Sequence, residues 1–335
     1  MRTRKAKLVA PAARVPVLIV LCLGLTFMLS DYDLYILTQV AALAIVVMGL
    51  NLLMGRLGSI SAGHGALMGT GGYATALLVV KSDIPYGPAL LLAMVLSAVA
   101  GLIVGLPAIR IRGLSLALVT LGLAIVFPEL VSYFASLTGG QNGLPLASIS
   151  APAGVSLDGE QWLYLVTVSI LFLSAVAFAL ITSSPFGRAL DAVRVSEDLA
   201  ASCGVAVGKT AVIAFAVSAA FAGLGGGLYQ LALGTAAPDT YSFSLTLSLV
   251  FAAVIGGMRG SLGAIIGAAF IVFVPNYTSS LGTDGPQLVY ACLILATVYG
   301  TRLFSTYRSR RRTAETTRAA TRSSDCRSPV TASNK

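Results

Sequence analysis

Charge is what this sequence has least of. Asp, Glu, Lys and Arg together supply 10% of its 335 residues, where a soluble globular domain carries about a quarter. A chain of this length folded in water would need a charged surface, and this one has too few charges to build it. Histidine occurs once, as His64. The four cysteines, Cys22, Cys203, Cys292 and Cys326, are widely spread and form no Cys-x-x-Cys pair. That spacing implies neither a disulfide framework nor a metal site. No polar stretch is long enough to be a soluble domain; the longest is the C-terminal tail.

Hydrophobic residues make up 56% of the chain, and they come in runs: 15–30, 35–54, 60–80, 86–109, 114–137, 162–182, 210–233, 243–257, 261–275 and 287–300. Most approach the roughly 20 residues that a helix needs to cross about 30 Å of hydrocarbon. The first run follows a basic stretch, as a signal peptide would. Its end, Phe27-Met28-Leu29-Ser30, lacks small residues at both cleavage-determining positions, so it is expected to remain as a first span. The runs at 243–257 and 261–275 are short and are separated by Gly256-Gly257-Met258-Arg259-Gly260. They fit either two short spans or one re-entrant hairpin.

Charge placement tests this layout. With the N-terminus in the cytoplasm and sides alternating, the inside connections hold Arg56, Arg110, Arg112, Arg188, Arg194, Lys209 and Arg259. Five cations precede the first run and nine follow the last. Lys81 is the single cation outside, beside seven acids: Asp31, Asp33, Asp83, Asp158, Glu160, Asp239 and Asp284. Twenty-one of the 22 cations therefore fall on one side, the bias that orients multi-span proteins. The expected architecture is all-α and polytopic, with about ten transmembrane helices and both termini cytoplasmic; eight is the fallback. Residues 1–14 form a cytoplasmic tail, 15–300 the membrane domain, and 301–335 a second tail whose Arg, Ser and Thr predict disorder. The net charge of +9 lies in these flanks rather than on a face interleaved with aromatics, which argues against nucleic acid as a partner and leaves lipid as the surroundings.

Several segments stand out chemically. The inside connection 184–204 has Leu190, Val193, Glu197, Ala200 and Gly204 at helical spacing, with Ser196 as an N-cap and Gly204 as a stop. It reads as a short helix lying between spans, suited to docking a cytoplasmic motor or merely to resting at the membrane surface. The stretch 59–73 gathers glycines with His64 and is expected to kink or interrupt its helix. Interrupted helices in transporters often supply substrate sites, which makes Asn51, Gly63, His64 and Gly65 candidates for a substrate path; close packing of small residues is the alternative. Gly65 and Gly69, Gly101 and Gly105, Gly223 and Gly227, and Gly263 and Gly267 all share the four-residue packing interval. Glu129 is the one acid placed inside a span. An intramembrane carboxylate is a functional candidate by default, although snorkelling toward the outer surface is open to it. Thr138, Gly139, Gly140 and Asn142 make a tight turn at the outer mouth, where a receptor or substrate could meet it. Gly204-Val205-Ala206-Val207-Gly208-Lys209-Thr210 imitates a phosphate-binding loop but has three residues between its glycines, not four, and follows no strand. The chain is thus expected to hold no ATP site, cofactor or metal of its own.

The segment containing Glu197, Ala200, Ala201 and Gly204 resembles the Glu-Ala-Ala…Gly coupling loop of bacterial ABC importer permeases. Residues 49–55, 59–73, 110–120, 137–144, 184–204 and 243–267 each resemble, in order, the branched-chain amino acid permeases of LivM type. The resemblance implies a transport subunit in the inner membrane that is not itself an enzyme. It implies three kinds of partner: a second related permease, two cytoplasmic ATP-binding cassette subunits carrying ATP and Mg, and an extracytoplasmic solute-binding protein. Gly187, Arg188, Glu197, Ala200, Ala201 and Gly204 would then couple to the cassettes. Branched-chain or other hydrophobic amino acids are the implied cargo, with urea, amides, sugars and nucleosides served by similar permeases. An ion-coupled secondary transporter would want more buried charge than Glu129 and His64 supply, and a membrane enzyme would want clustered His, Asp or Ser.

Overall fold

The computed structural model describes residues 29–59, 61–109, 114–146, 149, 157–258 and 260–278. The chain divides into two compact units, Met1–Phe273 and Val274–Lys335. Among the described residues every helix begins in the first unit, and the last one runs on into the second as far as Thr278. The expected runs at 15–30 and 287–300 and both tails lie outside the described residues.

Eight of the ten apolar runs coincide with helices. Helix α1 (Asp31–Asn51) opens under Ser30, whose Oγ accepts from the Asp33 amide at 3.4 Å, with Asp31 and Asp33 in the first turn, where carboxylates favour the positive end of the helix dipole. It then runs into a π-helical turn, Leu52–Leu57, closed by Gly58 at φ 81°. Fifteen of its residues are buried. A helix apolar all round belongs at the centre of a bundle, and α1 is there. Helix α2 spans His64–Ser82, α3 Tyr86–Gly105 with a 3-10 extension Leu106–Ile109, and α4 Leu114–Tyr133 with Pro128 inside it. A short α5 (Ala135–Thr138) follows. Helix α6 (Gly159–Ser183) starts from a capping box of Asp158 and Gln161, which satisfies two otherwise unpaired amides. Helices α7 (Pro185–Val195) and α8 (Glu197–Ser202) lie between it and α9 (Val207–Leu233). Helices α10 (Phe243–Gly256) and α11 (Ser261–Thr278) complete the described chain. Six segments are long and apolar enough to cross a membrane: Asp31–Leu57, Tyr86–Ile109, Ser115–Tyr133, Gly159–Ser183, Val207–Leu233 and Pro238–Gly256. Glycines, threonines and His64 make α2 less apolar, yet twelve of its residues are buried.

Helix α9 is the hub, packed against α1, α2 and α3. Its glycines explain why. A Cβ on Gly223 would meet Ser97 and Ala93 of α3, one on Gly225 Ala42 and Val46 of α1, and one on Gly226 Met68 of α2. Small residues let helix backbones approach closely where no hydrophobic force drives them together. Ser97 ties the same junction, its Oγ lying 2.9 Å from the Leu67 carbonyl and 2.8 Å from that of Ala219. The glycine intervals read from the sequence are packing positions: Gly101 and Gly105 abut α9, and Gly263 and Gly267 abut Gly256 and Ala252.

Two expectations need correction. The stretch 59–73 is not an interrupted helix: α2 is continuous from His64, with Gly63 as its N-cap, and its glycines admit neighbours. Gly65 faces Thr246, Gly69 faces Phe127 and Tyr241, and Gly71 faces Gly223. The irregular backbone lies before it, in the π turn of α1 and the non-helical residues 58–59 and 61–63. The connection 184–204 is not one helix but two, because Ser196 takes φ −162° and ψ 121° between them.

The connections gather at two ends. At one, the loop after α1 meets α7 and the starts of α4 and α9 around a shared cleft. At the other, Lys81 Nζ reaches the Ser136 carbonyl at 3.0 Å, Trp162 Nε1 donates to the Tyr86 hydroxyl at 2.7 Å, and β1 (Leu144–Pro145) pairs antiparallel with β2 (Thr235–Ala236).

Candidate functional site

The connection between α6 and α9 is built from two serine caps. Ser184 Oγ accepts from the Gly187 amide at 3.3 Å, and Pro185 occupies the first helical position, where its missing N–H costs nothing. Gly187, Leu190 and Val193 turn inward, and a Cβ on Gly187 would run into the Thr182 carbonyl. Arg188 is exposed, its Nη1 3.5 Å from the Ser183 carbonyl. After the break, Ser196 Oγ accepts from the Leu199 amide at 3.3 Å and starts α8. Ala200 is buried, Glu197 half-buried and Ala201 exposed. Gly204 sits at φ 82° in open space, donating its amide to the Ala201 carbonyl at 2.9 Å. A left-handed residue after a helix is the usual glycine stop, so conformation alone accounts for this glycine.

Two residues that the sequence reading missed project from this connection. Val195 is 81% exposed and Leu199 62%. Both are exposed, whereas Leu190, Val193 and Ala200 are buried. The signal was there: apolar side chains on the polar side of a helical pattern. Ala201 and the thiol of Cys203 are exposed in the same connection.

The break between α7 and α8 borders a cleft of about 320 Å³ whose lining includes Ser59, Leu116, Arg194, Val195, Glu197 and Phe215. On its flank α7 is bonded to the end of α1. Arg56 Nη1 contacts Asp191 Oδ2 at 2.8 Å, and Arg194 Nη1 donates to the Gly55 carbonyl. Gly58 packs on the Arg194 stem. The same end of α1 touches the α10–α11 turn: Asn51 Nδ2 lies 3.4 Å from the Gly260 carbonyl, and Gly55 abuts Met258.

Deeper in the bundle, polar atoms are buried without hydrogen-bond partners: Asn51 Oδ1, Ser61 Oγ, both ring nitrogens of His64, the Tyr73 hydroxyl, Gln230 Nε2 and Thr246 Oγ1. The Val46 carbonyl is within electrostatic reach of His64, though it makes no well-formed hydrogen bond. Each such group costs free energy away from water. Apart from Ser61, in the connection before α2, they come from α1, α2, α9 and α10. Gly65 contacts Thr246, and Gly49 lies against His64 and Ser218. Gly63 packs on the Thr120 carbonyl, and Thr120 Oγ1 accepts from the Ala62 amide at 3.0 Å. Among the candidates for a substrate path, Asn51, Gly63, His64 and Gly65 are therefore buried in one region, whereas Glu129 is exposed on the far face of α4 among Ile125, Val126 and Leu130.

At the opposite end, the Thr138–Gly143 turn is held from within. Thr138 Oγ1 donates to the Val131 carbonyl at 2.7 Å and accepts from the Gly140 amide at 3.2 Å. Gly139, Gly140 and Gly143 take positive φ. Only Gln141 and Asn142 of this turn stand exposed.

Comparison with known proteins is consistent across the chain. Residues 33–299 match the family model described as branched-chain amino acid transport system, permease component. The high-affinity branched-chain amino acid transport system permease protein LivM of Salmonella typhimurium is 30% identical over 280 residues, 76% of this chain and 65% of the relative; LivM of Escherichia coli matches to the same extent. The chain thus spans just under two thirds of the length of these relatives. The ribose import permease protein RbsC of Haemophilus influenzae is 27% identical over 284 residues, 80% of this chain and 84% of the relative. No solved structure matches. A match over 33–299 takes in every described helix from α2 to α11 and nearly all of α1, so the chain belongs to the branched-chain amino acid transport permease family.

Proposed function

We propose that the chain is a permease subunit of an ATP-binding cassette importer in a bacterial inner membrane, moving branched-chain or other hydrophobic amino acids inward. The observation that carries this is the family match over 33–299, together with LivM relatives named for high-affinity branched-chain amino acid transport. The chain crosses the bilayer about ten times, with both termini and the α7–α8 connection in the cytoplasm. A second related permease completes the path, two cassette subunits supply ATP and Mg, and an extracytoplasmic binding protein delivers cargo near the Thr138–Gly143 turn. The projecting Val195, Leu199 and Ala201 suit a cassette cleft, since apolar side chains facing water mark a contact surface. Translocation needs no covalent step: the buried polar groups around His64 and Asn51 would be met by water or cargo when the bundle opens.

The test is uptake into vesicles holding the chain with its companion permease, cassettes and binding protein. Leucine accumulation that depends on ATP and on every component is expected. A complex that forms and hydrolyses ATP but moves no amino acid would sink the cargo assignment. Sugar import is the second reading, favoured by the RbsC match over most of both chains; ribose that outcompetes leucine for the binding protein and for uptake would establish it.

A further inference from the structure

We infer that Arg56 and Asp191, with Arg194 and Gly55, weld α7 to the π-helical end of α1, so that motion imposed on the α7–α8 connection enters the bundle through α1. This rests on the proposed ATP-driven function and deepens it by naming the transmitting residues.

The observations converge on that end of α1. The Arg56–Asp191 ion pair spans 135 positions of sequence at 2.8 Å, with the arginine side chain mostly withdrawn from solvent. Arg194, one turn further along α7, donates to the Gly55 carbonyl. Two bonds a turn apart fix both the position and the rotation of α7 against α1, which a single bond would not. Gly58 closes the joint, because a Cβ there would press on Arg194. The π geometry at Leu52–Leu57 gives a reason for the location: a π turn loosens the regular i→i−4 ladder, and such turns concentrate at functional positions. Beyond it, Asn51 and Gly55 reach Gly260 and Met258 in the α10–α11 turn. By contrast, the covalent route to α9 runs through the exposed Gly204, where an added side chain would meet nothing within 4 Å.

The experiment uses the full complex in vesicles and reads cassette recovery, ATP hydrolysis and cargo moved per ATP. Arg56→Ala and Asp191→Ala are expected to keep the cassettes and hydrolyse ATP while cargo per ATP falls about tenfold. The swap Arg56→Asp with Asp191→Arg is expected to recover most of it. A second variant guards against misfolded singles: Arg56→Lys keeps a cation beside Asp191 and should retain most of the cargo moved per ATP. Unchanged cargo per ATP in the alanine variants overturns the inference, and so does a loss in Arg56→Lys as deep as that in Arg56→Ala. Loss of the cassettes from the singles with no recovery in the swap also overturns it. A wild-type complex that never takes up cassettes refutes the parent function instead.

Discussion

The Tyr241 hydroxyl donates to Gln230 Oε1 at 2.7 Å, and neither side chain is reached by solvent. Tyr241 arrives from the 3-10 turn Pro238–Tyr241 before α10, and its ring packs with Tyr73 and Phe127 at centroid distances of 5.8 and 6.1 Å. Tyr241→Phe keeps the ring contacts and strands the Gln230 carbonyl oxygen beside an amide nitrogen that already lacks a partner. Leaving a buried acceptor unpaired costs about 1–3 kcal/mol. The variant should insert normally but unfold at lower temperature in detergent, and an unchanged midpoint would show that the bond contributes nothing.

Where helices touch through glycine, a larger side chain should separate them. Gly71→Leu forces its side chain into the Gly223 backbone, whereas Gly87 has nothing within 4 Å. Overpacking costs about 1–3 kcal/mol where neighbours can shift, and backbone cannot shift readily. Gly71→Leu should therefore lose folded yield on size exclusion, with Gly87→Ala eluting as the wild type does.

Docking of the cassettes is best tested at Leu199 and Ala201. Gly204 is a poor place for a bulky residue, since its φ of 82° strains any other side chain whatever it touches. Leu199→Asp and Ala201→Trp change exposed side chains on a helix whose buried contact is Ala200. Each should reduce cassette recovery by about one to two powers of ten, a loss of roughly 1.4–2.8 kcal/mol, while companion-permease recovery holds. Full cassette recovery with both would place the docking surface elsewhere.

Sidedness can be read from thiol labelling. Cys203 is exposed beside α8, so in a background with the other three cysteines replaced by serine it should resist an impermeant maleimide in intact cells and react after permeabilisation. Asp158→Cys should react in intact cells. The reverse pattern would invert the topology.

Much of this fold was legible in composition and run length. Apolar runs bounded by charge located eight helices to within a few residues, because a helix bordering hydrocarbon has few alternatives. Spacing also marked the glycine contacts and the Ser196 cap. Sequence could not show that α1 ends in a π turn, since Leu52-Leu53-Met54-Gly55-Arg56-Leu57 has the same local preferences as an ordinary helix; the distant contacts to Asp191, Arg194 and Met258 accompany the change. Nor could it show that Ser196 breaks the connection into two helices rather than capping one. The joining of Arg56 to Asp191 was invisible for the same reason, as charge periodicity within a loop does not name a partner 135 residues away.

The two-residue ladder of Leu144 with Ala236 and Pro145 with Thr235 is short, yet its placement matters. Leu146 extends it by donating to the Gly234 carbonyl at 2.8 Å, at the cap of α9. The strap therefore anchors the segment carrying the Thr138–Gly143 turn to the one helix that packs against α1, α2 and α3 together. The exposed Gln141 and Asn142 are thus only a few residues of chain away from the end of the hub helix.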